Sequence, residues 1–135
     1  MAVSATPAFG QAIKTVHAII TGATTVLATT TNHVALLAAA LTNGGFMFRA
    51  SVMPIATCTL TQIVMFRSPD GGTNRYLVGS CAVPAYTLAT TTEVPRTYFD
   101  FSMANMMGLS PLDTLYVAAG VDTGDFHVSA DLFVL

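Results

Sequence analysis

The residues in this sequence that could carry chemistry are one acidic tripeptide, three histidines, two cysteines and a methionine-rich stretch. Asp122-Thr123-Gly124 matches the tripeptide in which aspartic proteases hold one of two aspartates that share a proton and activate water. That fold needs a flap and closing strands after the motif, and the eleven residues beyond Gly124 leave no room for them. The same tripeptide reads more simply as a β-turn, with Asp and Gly where turns place them. Asp122 with Asp125 could offer oxygens to calcium, but the run of donors and the distant bidentate Glu of an EF-hand loop are missing.

His17, His33 and His127 are far apart and show no i,i+4 relation, so no zinc motif is visible. Cys58 and Cys81 lack a Cys-x-x-Cys partner and are too few for a disulfide framework. They flank a predicted hairpin at similar distances from its turn, close enough to pair or to remain as buried reduced thiols, and a cytoplasmic product favours the thiols. Glu93 is the sole glutamate, so a glycosidase pair would need aspartates gathered by the fold. Asn43-Gly44-Gly45 and Asp70-Gly71-Gly72 are turn chemistry rather than phosphate loops, and Met103, Met106 and Met107 suit adaptable packing or an interface. The expectation is no catalytic, cofactor-binding or metal-binding residue, and no enzyme.

Composition carries more than the motifs do. Only 9% of the 135 residues are charged, 53% are apolar and the mean hydropathy is +0.62. A typical soluble domain is about 25% charged. So few charges predict that much of the exterior is covered by neighbours, in an oligomer or a lattice. The bases Lys14, Arg49, Arg67, Arg75 and Arg96 are scattered among seven acids for a net charge of -2, which argues against nucleic acid as a partner. A membrane span is not expected either, because the apolar run Val34 to Leu41 is far shorter than the ~20 residues required. The first ten residues lack a basic n-region, which points to synthesis and retention in a cytoplasm.

The elements that must position these residues are strands. Thr, Val, Phe and Tyr are abundant and turn formers recur at short intervals. Residues 1–22 read as an extended N-terminal arm or a first strand, and 23–135 as a single β-sandwich domain. Val34 to Ala40 is read as a strand. Phe46 to Met53 alternates Phe46, Phe48, Ala50 and Val52 on one side with Met47, Arg49, Ser51 and Met53 on the other, a half-buried strand ended by Pro54. Thr59 to Arg67 and Tyr76 to Val83 form a hairpin around Ser68-Pro69-Asp70-Gly71, the firmest expectation. Arg96 to Ser102 alternates, Met103 to Gly108 is one helical turn or a loop, and Thr114 to Ala119 is a strand. In Asp125 to Leu135, Phe126, Val128, Ala130, Leu132 and Val134 should face inward and the C-terminus should join the core. Seven or eight such strands give the fold class all-β: an antiparallel β-sandwich, jelly-roll-like, with an extended N-terminal arm.

From Asn43 onward the order of features resembles small virion proteins of tailed bacteriophages. The resemblance lies in the glycine loop, the strand Phe46 to Met53, the Arg67-to-Gly72 turn and Arg75-Tyr76-Leu77-Val78. It continues through Leu109-Ser110-Pro111, Leu115-Tyr116-Val117-Ala118-Ala119 and a closing strand with His127-Val128. It covers about two thirds of the chain and rests on spacing and residue character. It implies a jelly-roll-like sandwich and a capsid decoration or cement protein, a homotrimer bound to the major capsid protein on the outer shell and made in the host cytoplasm. A tail, neck or fibre-associated component is the alternative. A carbohydrate-binding module is a more distant one, since with no Trp the aromatics Phe48, Phe66, Phe99 and Phe101 are expected mainly in the core.

Overall fold

The computed structural model describes residues 12–24, 30–120 and 125–135. Asp122-Thr123-Gly124 and most of the segment Thr24 to Ala28 lie outside them. Nine strands are present among the described residues: β1 Ala12–Ile20, β2 Val34–Leu37, β3 Gly45–Pro54, β4 Thr61–Ser68, β5 Tyr76–Val83, β6 Thr97–Tyr98, β7 Met107–Leu109, β8 Thr114–Ala119 and β9 Phe126–Val134. They form a β-sandwich of two antiparallel sheets. The first has the order β1-β9-β3-β6, with β7 beside the other half of β3, and the second has the order β2-β8-β4-β5. The pairing is nested: β4 with β5 at the centre, β3 with β6 and β7, β2 with β8, and β1 with β9 outermost. Among the described residues no helix is long and apolar enough to cross a membrane.

The core lies between the sheets because one side of each strand is apolar. From β9 it takes Phe126, Val128, Ala130 and Leu132, and from β4 Ile63 and Met65. Leu115, Val117 and Ala119 of β8 and Ile20 of β1 complete its centre. Leu132 is fully buried and Val134 packs against the core, so the last strand closes the sandwich as its alternation predicts. Of the two readings of residues 1–22, the described part takes the second. Ala12 to Ile20 is a strand paired with β9 along its whole length, and residues 1–11 lie outside the described residues.

The hairpin β4–β5 forms where expected. Gly71 and Gly72 take positive φ, and Asp70 accepts hydrogen bonds from the Ser68 hydroxyl at 2.8 Å and from the Asn74 amide at 2.9 Å. These bonds, led by that from the Asn74 backbone, hold the exposed Asp70 carboxyl below the usual carboxylate range.

Several sequence expectations are corrected. The strand expected over Val34 to Ala40 ends at Leu37, after a register irregularity against β8. Arg96 to Ser102 contains only the two-residue β6. Of Met103 to Gly108, read as one helical turn or a loop, the first part is a turn closed by the Asn105 amide on the Ser102 carbonyl at 3.0 Å, and Met107–Leu109 is instead a short strand beside Gly45 to Met47.

The largest correction concerns β3. Met47 pairs with Leu132 and Arg49 with Asp131, so Phe48 is an extra residue, a β-bulge that shifts the alternation by one. Met47 is therefore fully buried with Ala50 and Val52, while Phe46 and Phe48 face outward. The glycine before the strand explains part of its path. A Cβ on Gly45 would overlap the carbonyl oxygen of Phe133, so only glycine allows β3 to approach β9 this closely.

Candidate interaction surface

The outward side of the first sheet can be laid out row by row from its register. Ile13, Phe133 and Phe46 form one row, with Phe48 stacked on Phe133 at 4.5 Å between ring centroids. Thr15, Asp131 and Arg49 form the next. His17, Ser129, Ser51 and Tyr98 follow, and then Ile19, His127 and Met53. Strand alternation alone brings these residues together, because partners directly opposite each other share a face.

One ion pair crosses the middle of this face. Asp131 accepts from Thr15 Oγ1 at 2.7 Å and from Arg49 Nε at 2.7 Å. Burial by itself would raise the Asp131 carboxyl. The hydrogen bonds from Thr15 and Arg49 and the charges of Arg49 and His17 outweigh it, so its pKa lies below the ordinary value. The contribution to stability is present above the ordinary carboxylate pKa and is lost as pH falls through the lowered one. Beside the pair the Ser51 and Ser129 hydroxyls lie 3.2 Å apart.

His17 and His127, unrelated in sequence, share a groove of about 330 Å³ with Ala18, Ile19, Met53, Val128 and Ser129. Arg96 Nη2 lies 3.4 Å from Met53 Sδ at its border. Around these polar groups the face is apolar and open: Ile13 is 65% exposed, Ile19 52%, Tyr98 54% and Phe46 38%. Large apolar side chains held out together on one sheet face gain free energy when they are covered.

The outward side of the second sheet differs. Val64, Phe66 and Ala118 are buried there as a second small cluster with Tyr116 packed against it. His33 lies over it, stacked on Phe66 at 4.6 Å, and the Arg75 guanidinium sits 3.8 Å from the centre of the Tyr116 ring. The chain covers the β4 and β8 part of this face itself, while Leu77 of β5, opposite Phe66, is 53% exposed.

The other candidate residues do not converge. His33 is on the second sheet, away from His17 and His127. Asp125 precedes β9 and its carbonyl accepts the Ile55 amide at 2.9 Å. Glu93 is exposed on the link before β6, Met103 and Met106 are exposed, and Met107 is buried at the core. Among the described residues no group of three or more His, Cys, Asp and Glu side chains is placed to hold a metal. Of the aromatics expected inside, Phe66 and Phe99 are buried and Phe101 partly so, while Phe48 is on the outer face.

Cys58 and Cys81 are free thiols. The expectation that they sit close together is corrected by the hairpin register, which sets Cys58 opposite Tyr86 and Cys81 opposite Ile63. Burial pushes the Cys81 thiol up to about 12. Only about one Cys81 in ten thousand is then thiolate at pH 8, and the thiolate is the nucleophile. Iodoacetamide at that pH should leave Cys81 of the folded protein unlabelled over hours and label it within minutes in denaturant. Rapid native labelling, read by mass spectrometry, would contradict the packing around β5.

Sequence patterning alone could not have found the Thr15–Asp131–Arg49 cluster or the His17–His127 groove, because their members come from three strands distant in the chain. The only signal was that His17, Arg49, His127 and Asp131 each stand at a polar position of an otherwise apolar strand. No protein-family profile matches the chain, and neither the curated proteins nor the solved structures contain a match to it.

Proposed function

We propose that this chain is a structural subunit of a bacteriophage virion, a decoration protein that binds the outer capsid shell and stabilises it. The observation that carries the reading is the asymmetry of the two outer faces. One is covered over Phe66 and Tyr116 by the chain's own His33 and Arg75 and leaves Leu77 open, whereas the other holds Ile13, Ile19, Phe46 and Tyr98 in the open around a single ion pair. The low charge supports it, since a shell protein buries its apolar surfaces against several neighbours and adds many weak contacts through multivalency.

The strand orders β1-β9-β3-β6 and β2-β8-β4-β5, with their nested pairs, support a jelly roll, the fold that the resemblance implies. The major capsid protein is the partner in this reading.

The test is co-sedimentation with expanded empty capsids of the same phage, at micromolar protein. Wild type should pellet with the shells at saturating, repeat-related stoichiometry and raise their melting temperature. Truncating both Phe46 and Tyr98 to alanine removes two aromatic anchors and should weaken binding at least about tenfold. Leu77→Ala, on the second sheet, should leave it unchanged. A wild type that stays in the supernatant, or equal binding by all three, would overturn the proposal.

A further inference from the structure

The sandwich has four sheet edges, and three are blunted. β6 is two residues long, β2 is four residues with an irregular register, and the β4–β5 ladder carries a bulge near Gly79 of the edge strand β5. The fourth edge, β1, is different. Its nine residues pair with β9 without a single register shift, it contains no proline or glycine, and among the described residues no strand pairs with its other side. A long, straight edge of this kind presents a row of backbone donors and acceptors, which folded proteins normally cover or interrupt.

We infer that the free edge of β1 pairs with the β1 edge of a second copy of this chain, antiparallel about a two-fold axis at Val16, joining the first sheets of two protomers into one continuous sheet. The register follows from geometry. Along a strand the hydrogen-bonding groups alternate between its two edges, so identical antiparallel strands can pair only residues of the same parity. Full overlap of Ala12–Ile20 then sets Val16 opposite Val16, Thr15 opposite His17, Lys14 opposite Ala18 and Ile13 opposite Ile19.

The side chains suit that register and no charge opposes a like charge. Lys14, the only permanently charged residue of the strand, faces alanine. Ile13 and Ile19, each more than half exposed in the single chain, come directly opposite one another twice per pair. Directly opposed side chains on one face of an antiparallel pair are the contacts that stabilise it. The contact is isologous, as a two-fold requires; it covers Ile13 and Ile19 at the edge of the open face and leaves Phe46 and Tyr98 free. It is argued from the edge geometry of β1 and does not rest on the shell-binding reading.

The experiment is sedimentation equilibrium of the full chain at 10–100 µM (concentrations chosen as ~10 and ~100 times those of a micromolar association) with two paired substitutions. Wild type should sediment as a dimer. Ile13→Lys with Ile19→Lys sets lysines against each other at both ends of the pair and should give a monomer with an unchanged far-UV spectrum, since both sites are exposed. Ile13→Lys with Ile19→Glu sets Lys against Glu instead and should restore the dimer at low salt, by at least tenfold in dissociation constant over the double lysine variant. A monomeric or trimeric wild type, or identical behaviour of the two variants, would overturn the inference. Shell binding is read separately through Phe46 and Tyr98, which neither paired substitution touches, so failure of the dimer and failure of the proposed function are distinguishable.

Discussion

Replacing Met47 by alanine should destabilise the fold by about 2–5 kcal/mol, whereas replacing its larger neighbour Phe48 should cost about 1 kcal/mol. Met47 is fully buried between the sheets with Leu132 and Val52, and truncation there leaves a cavity that the paired strands β9 and β7 prevent from closing. Phe48 loses only a half-covered outer surface and its stacking on Phe133. The order is the reverse of what the alternation of β3 suggests, and its cause is the bulge. Urea denaturation of both variants decides it: a midpoint lower for Phe48→Ala than for Met47→Ala would mean that the strand runs without the bulge and that Phe46 and Phe48 face the core.

Replacing His33 by phenylalanine should stabilise the protein by about 1–3 kcal/mol and reduce its loss of stability in mild acid. Both His33 ring nitrogens are buried and have no hydrogen-bond partner among the described residues, and a buried polar group without a partner carries its full desolvation penalty. Phenylalanine keeps the ring stacked on Phe66 and removes the two nitrogens.

The pH dependence has a definite sign. Burial, with a smaller contribution from the nearby Arg75 charge, lowers the His33 pKa below its ordinary 6.5. Above pH 6.5 the imidazole is neutral in both states and has no effect on the pH slope. Below it the unfolded chain takes up the proton first, so the folded state loses stability until its own lower pKa is reached. Thermal melts of wild type and His33→Phe between pH 5 and 8 (roughly the range over which histidine titrates) test this. Parallel profiles with no gain for the variant would show that the imidazole nitrogens are paired in solution.

Both results turn on a distinction between local pattern and tertiary context. The composition of the chain and its period-2 apolar alternation determine an all-β sandwich, because such a chain can hide its apolar side only by packing one sheet on another. The β4–β5 hairpin was legible because Pro69, Asp70 and Gly71 specify a turn through their own backbone preferences. The inward face of β9 was legible because Phe126 to Val134 alternates without interruption.

Tertiary structure alone decided the rest. The bulge at Phe48 depends on how β3 meets β9, and once one residue is inserted every later side chain changes face. Met107–Leu109 became a strand only because the free half of β3 was available to pair with it. The joining of His17 to His127, and of Thr15 and Arg49 to Asp131, required β1 and β3 to flank β9, an adjacency between segments up to 116 residues apart that no local preference encodes. Whether an apolar outer side is covered or open was decided in the same way, since Val64 and Ile19 are alike in type and differ only in what the folded chain lays over them.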